Sequence, residues 1–186
     1  MKRNHLIATM AGAGLGLAVV GGVAATTFLP EDAPGGPAPA AAAVAPQAVA
    51  DHEVLSADAL LAAGEAGLAE AQEQGQQVSI AIMDRSGSVR LVLKTDNAGP
   101  QTQDSAEQKA FTAVSMGSPT SELAENASGD GPTIADIPGT LFLAGGVPVT
   151  SDDAPIAGIG VGGAPSGDID EEIAQAALEA LEDYEG

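Results

Sequence analysis

The sequence predicts an α+β fold, an antiparallel sheet with helices packed against it in a single domain. Three observations carry this. A strand–turn–strand pattern spans Val78 to Lys94, three stretches carry apolar residues at helical spacing, and the connections are short. Short connections exclude much parallel crossover, which needs a dozen or more intervening residues. The predicted order is helix, hairpin, helix, short helix, strands, helix.

The first helix runs from Ala57 to Gln74, with Ser56 as its N-cap and Gly75 as its stop. Leu60, Gly64, Leu68 and Ala71 share one face. Gly64 and Gly67 cost helix propensity, so their return is close packing against another element. Val78, Ile80 and Ile82 alternate with Ser79 and Ala81 as a strand. Asp84-Arg85-Ser86-Gly87 makes a turn, and Val89 to Lys94 is the partner strand. Asp104 is predicted to cap the second helix, with Glu107 as its capping-box partner, and Gly117-Ser118-Pro119 ends it near Met116. Thr120 caps a short helix from Ser121 to Asn126. Thr140 to Ala144 and Val147 to Thr150 read as short strands around Gly145-Gly146. Ile156 to Val161 is the last strand, and Gly158, Gly160 and Gly162 alternate with its apolar residues. The last helix is predicted to start near Asp168 with Glu171 as capping partner. Its apolar stripe is Ile169, Ile173, Ala177, Leu181 and Tyr184.

Composition bounds the function. The formal net charge is -20 and there is no cysteine. An anionic surface of this size repels nucleic acid. Without cysteine there is no disulfide, thiolate metal site or thiol nucleophile. Aromatics are few, so Ala, Val, Ile and Leu must build the core. Lys2, Arg3 and His5 precede an apolar run from Leu6 to Phe28, which makes residues 1–29 an export signal or a membrane anchor. Either reading places the rest outside the cytoplasm, secreted in the first case. Pro30, Pro34, Pro37, Pro39 and Pro46 mark residues 30–50 as a Pro/Ala-rich linker. The folded domain is residues 51–186.

The second helix is the most informative for chemistry. At about 100° per residue, Ala106, Ala110, Phe111, Ala113 and Val114 gather on a core face. Ser105, Lys109, Thr112 and Met116 gather on the other, either as a ligand face or as a solvent or subunit-contact stripe. Lys109 suits a carboxylate or propionate, and Met116 or the Thr112 hydroxyl suits a metal. Histidine chemistry has only His52 to draw on within the domain, which argues against a bis-histidine haem site or a Ser–His–Asp arrangement. Carboxylates at Glu70/Glu73 and Glu122/Glu125 share a helix face at a spacing that suits hard cations such as iron, or simply form a solvated acidic surface. The glycine clusters lack the Gly-Lys-Ser/Thr of a phosphate cradle, so they indicate close packing.

Several segments together resemble one family. They are Val78 to Gly87, Ser105 to Val114, Pro119 to Leu123, Gly139 to Val149, Ile156 to Gly163 and Asp170-Glu171. In this order, from about Leu55 to Leu181, they resemble the GlcG/HbpS-like haem-binding family, and most nearly its secreted actinomycete members. The resemblance implies a subunit that assembles into a homo-octamer and binds haem near the central helix. There Thr112 matches the iron-contacting threonine and Lys109 the family's lysine, beside Phe111 and Met116. It further implies haem degradation by some members, additional iron at surface carboxylates, and a membrane sensor kinase as partner.

Overall fold

The computed structural model describes residues 43–124, 127 and 131–186. The export signal or anchor and most of the linker lie outside them, as do Glu125 and Asn126. The chain divides after Val49 into two compact units. Within the first, the described element is a 3₁₀ turn at Pro46–Ala48; all that follows belongs to Ala50–Gly186. Among the described residues, no helix is long and apolar enough to cross a membrane.

The elements are α1 (Ala57–Glu73), β1 (Ser79–Asp84), β2 (Val89–Lys94), α2 (Gln101–Met116), α3 (Thr120–Leu123), β3 (Gly146–Ser151), β4 (Ala154–Gly162) and α4 (Gly167–Glu182). They form the α+β fold that the sequence predicts. The four strands make one antiparallel sheet in the order β2-β1-β4-β3. Strand alternation sends Ile80, Ile82, Val147, Val149, Ile159 and Val161 to one face. There they pack with Leu60, Ala63 and Ala71 of α1 and Ile173, Ala174 and Ala177 of α4.

The opposite face takes α2. Ser79, Ala81 and Met83 pair in register with Gly162, Gly160 and Gly158. The glycines leave a groove into which the helix backbone sinks. A Cβ on Gly160 would overlap the carbonyl oxygen of Ala106, and one on Gly158 that of Ala110. A Cβ on Gly162 would lie 2.8 Å from the Ser105 side chain. The helix answers with Ala106, Ala110 and Ala113, all fully buried. The Ser79 and Thr102 hydroxyls, 2.7 Å apart, tie sheet to helix at the end of this seam. In α1 the two glycines also serve close approach: a Cβ on Gly64 would meet Leu91, and one on Gly67 would meet Ile80 and Ala177.

Several local expectations are corrected. Thr120 is the first residue of α3, which has Pro119 as N-cap and no side-chain cap bond, and Tyr184 lies exposed beyond the end of α4 at Glu182. Helix α2 starts a turn early, at Gln101, with Pro100 as N-cap and no side-chain cap bond. Asp104 therefore lies inside the first turn, and Glu107 accepts from Gln103 instead. Helix α4 is capped by Ser166, which accepts from Ile169 N–H. Thr140 to Ala144 is not a strand. The Leu141 amide is drawn to a side chain of α2, and the Leu143 carbonyl to Thr120, so neither joins a ladder.

In the β1–β2 turn, the Asp84 carboxylate accepts from Ser86 N–H, Ser86 Oγ and Ser88 N–H. The Ser86 hydroxyl foremost, then the backbone donors and Arg90, outweigh burial and hold the Asp84 pKa below the ordinary 3.8. A depressed carboxylate stabilises the fold above its unfolded pKa. Stability should thus fall as pH drops below about 3.8, and Asp84→Asn should flatten this part of an acid-denaturation profile. The glycine seam gives a larger effect. Gly160→Ala should cost roughly 3 kcal/mol or more in urea unfolding, because helix backbone rather than a flexible side chain stands in the way. At Gly131 a Cβ meets nothing within 4 Å, and Gly131→Ala should stay within about 0.5 kcal/mol of the parent.

Candidate functional site

Sinking α2 into the sheet leaves its flanks within reach of neighbouring loops. On one flank Lys109 is 2% exposed. Its Nζ donates to Asp170 Oδ2 at 2.7 Å and to the Val161 carbonyl at 2.9 Å. Asp170, in the first turn of α4, also accepts from Ala164 N–H at 3.0 Å. The pair thus joins α2, β4 and α4 with both side chains almost wholly buried. A turn further along α2, Thr112 is fully buried. Its hydroxyl donates to the Gln108 carbonyl at 2.7 Å and accepts the Leu141 amide at 2.8 Å.

The Ser105/Lys109/Thr112/Met116 side of α2 is therefore not the open stripe that helical spacing suggests. Residues 137–145 lie along it and cover Thr112. Only Ser105 and Met116 keep part of their surface exposed. Lys109 is committed to Asp170, so its charge is not free for a propionate. Phe111 departs in the opposite sense. It is half-buried and lies beside Gly87 and Gly139, its ring 3.7 Å from where a Cβ would stand on either.

That ring forms the wall of a cleft of about 260 Å³, lined by Met83, Phe111 and Gly139 with Asp104, Glu107 and Gln108 at its rim. It is an apolar floor with an anionic edge, at the small end of ligand-pocket sizes. Thr112 is adjacent in sequence but roofed by Leu141. A second, polar cavity of about 450 Å³ reaches Lys109 and Asp170 between Leu143, Ala144 and residues 163–168.

The carboxylate pairs separate. Glu70 lines an acidic groove with Asp168, Glu171, Glu172 and Glu179, and its Oε1 accepts from Gln74. Glu73 is exposed and does not line that groove. Glu122 is exposed, and its partner Glu125 lies outside the described residues. Among the described residues, no three His, Cys, Asp or Glu side chains are grouped to hold a metal ion. His52 is exposed before α1. Sequence reasoning missed two residues that organise the site. Asp170 was legible only as part of a helix start, although a lone lysine amid the alanines of α2 signals a buried acidic partner. Glu171 was read as a cap; it accepts Ser121 Oγ at 2.6 Å and Gly145 N–H at 3.1 Å.

Comparison with known proteins gives a consistent picture. A family model described as haem degrading protein HbpS-like matches residues 55–179. The crystal structure of a Streptomyces reticuli HbpS variant with two glutamate-to-aspartate changes is 50% identical, with a TM-score of 0.74 over 78% of this chain and 99% of that one. A haem complex of PduOC is 27% identical, with a TM-score of 0.64 over 69% of this chain and 95% of that one. Klebsiella pneumoniae ORFY, 23% identical with a TM-score of 0.66, shares the fold across 73% of this chain and 97% of its own. No curated protein matches.

The buried ion pair generates a prediction that is independent of any ligand. Lys109→Met should destabilise the fold by about 3–5 kcal/mol, because it strands the Asp170 carboxylate. Asp170→Leu should cost a similar amount, and the double variant should recover much of the loss. A denaturant double-mutant cycle measures this coupling. Additive losses would show that the two charges act separately.

Proposed function

This chain belongs to the HbpS-like family of haem-degrading proteins, and we propose that it is an extracellular haem-binding protein that works as a homo-oligomer. The match of the family model across nearly all of the folded unit carries the reading. The PduOC structure, solved as a haem complex, supports it.

The residues around α2 fit a haem held mainly by its apolar body. Met83 and Phe111 offer a thioether and an aromatic wall, and the cleft is too small to enclose a macrocycle within one subunit. A haem here would need a second subunit or solvent on its far side, in keeping with the octamer that the family resemblance implies. Thr112 supplies a neutral oxygen, a weak iron contact at best. Among the described residues His52 is the sole imidazole, and the chain has no thiolate. A haem held here with only a neutral hydroxyl nearby would keep a reactive iron, which would suit haem or redox sensing, scavenging and degradation better than electron transfer. The chain's own part is to seat the ring on Met83 and Phe111, with Met116 at the end of the same helix.

Additional iron belongs to the same proposal. Glu70 and Glu73 stand three positions apart on α1, Glu70 half-buried at the acidic groove and Glu73 exposed outside it, and in the Streptomyces reticuli variant two glutamates at this same spacing were altered. Glu122 and Glu125 have that spacing too. The net charge of -20 supports docking to a basic surface, and a membrane sensor kinase is the partner proposed on family grounds. If haem does not bind, this docking role is the reading that stands.

The test is a haemin titration followed by absorbance. The parent chain should give a saturable Soret shift. Phe111→Ala should weaken binding about tenfold through loss of the aromatic wall, and Thr112→Ala should alter the Soret position. Absence of a saturable shift in the parent would overturn the haem reading.

A further inference from the structure

The roof over Thr112 has the construction of a hinged element. Residues 137–145 leave the 3₁₀ turn Ile134–Asp136 and run to β3. Both ends bend at glycines with positive φ, Gly139 at 85° and Gly145 at 119°, a conformation that other residues rarely adopt. Between those glycines no backbone group takes part in a strand ladder. The one backbone–backbone bond from Thr140 to Ala144 is the local turn Thr140 N–H to Ile137 C=O. At its far end the Gly145 carbonyl accepts the Val161 amide of β4 at 2.8 Å and pins that hinge to the sheet; between the glycines, what holds the segment down is a row of side chains beneath it. Thr112 Oγ1 accepts the Leu141 amide at 2.8 Å, and Thr120 Oγ1 donates to the Leu143 carbonyl at 2.7 Å. Glu171 accepts the Gly145 amide at 3.1 Å. Burial holds it unevenly, since Leu141, Phe142 and Ala144 are half-buried while Leu143 is 58% exposed.

We propose that residues 137–145 are a strap that swings about Gly139 and Gly145, latched by Thr112, Thr120 and Glu171, and that its opening uncovers the Lys109/Thr112 side of α2. Closed, the strap engages the Thr112 hydroxyl oxygen through the Leu141 amide. Open, it frees that oxygen and widens the way from the Phe111 cleft along the helix. The role deepens the haem reading, since it makes contact between Thr112 and iron conditional on strap opening. The strap itself is a property of the chain without ligand. Thr112 and Glu171 are in this sense positioning residues.

Amide hydrogen exchange on the full chain without haemin tests it. Thr112→Val keeps the shape of the side chain and removes the latch. The Leu141 amide should exchange about five- to tenfold faster, the effect of losing one neutral hydrogen bond, while Thr112→Ser should stay close to the parent. Ile80 and Ile82 amides of β1 should be unchanged in every variant. The decisive result is coupling between latches. Thr112→Val should also speed the Gly145 amide, and Glu171→Ala should also speed that of Leu141. If each variant loosens only its own amide, the segment does not swing as a unit and the proposal is overturned. Should Thr112→Val destabilise the whole fold, the Glu171→Ala arm decides alone. A haemin titration that fails would leave these exchange results intact, and the reverse also holds.

Discussion

The close seat of α2 on the glycine stripe of β4 is the constraint on which the rest of the structure depends. Helices packed on sheets through large side chains stand well clear of the strands. Here Gly158, Gly160 and Gly162 meet the carbonyls and small side chains of Ala106, Ala110 and Ser105. The contact is backbone to backbone, and each atom pair contributes little alone but the row contributes much. This is how a chain so poor in aromatics and lacking cysteine makes a well-packed second face. It also moves the helix so deep that loops on both sides can reach over it. Gly146, whose added Cβ would lie 2.6 Å from the Lys109 carbonyl, extends the same closeness to β3.

Depth explains the chemistry of the flanks. A lysine on a helix this sunken cannot carry its ammonium to water, so a partner has to come to it. Asp170 does so from the first turn of α4, and the Val161 carbonyl takes a second N–H. In a chain with so strong an excess of acid, one of the few cations of the folded unit is spent inside. A buried pair adds little net stability against apolar replacements, but an unpaired member costs heavily. Its consequence is therefore placement: α4 can dock in one register only, with Glu171 brought over Ser121 and Gly145.

The elements legible in the sequence are those fixed by local periodicity or turn chemistry. Ser56 as a cap, the Val78–Lys94 hairpin and the Ile173/Ala177 stripe of α4 are of this kind. The alternation of glycines in β4 was readable too, as close packing, although not which helix it receives. What could not be read depends on partners distant in sequence. The start of α2 is set by chain entry at Pro100 rather than by a cap side chain. Thr140 to Ala144 has the composition of a strand, but its groups are claimed by Thr112 and Thr120. Helical spacing put Lys109 and Thr112 on a common side correctly. Whether that side faces solvent depends on a segment some thirty positions away, which no period within α2 can reveal.

That covered side is where the fold bears on the proposed function. The threonine that the family resemblance marks for iron is, in this chain, a fully satisfied core hydroxyl. A ligand that approaches it must replace a hydrogen bond already made to Leu141 and displace the residues above. The apparent affinity of such a site is its intrinsic affinity reduced by the fraction of molecules that are open. The apolar cleft at Phe111 carries no such penalty, being formed and accessible in the closed state. A ring held first on Met83 and Phe111 would therefore bind without strap movement, and contact with Thr112 would follow only as the strap yields. On the proposed reading, the strength of the latch would set how far the iron is engaged, and ligand capture and iron contact would be separable steps on one helix.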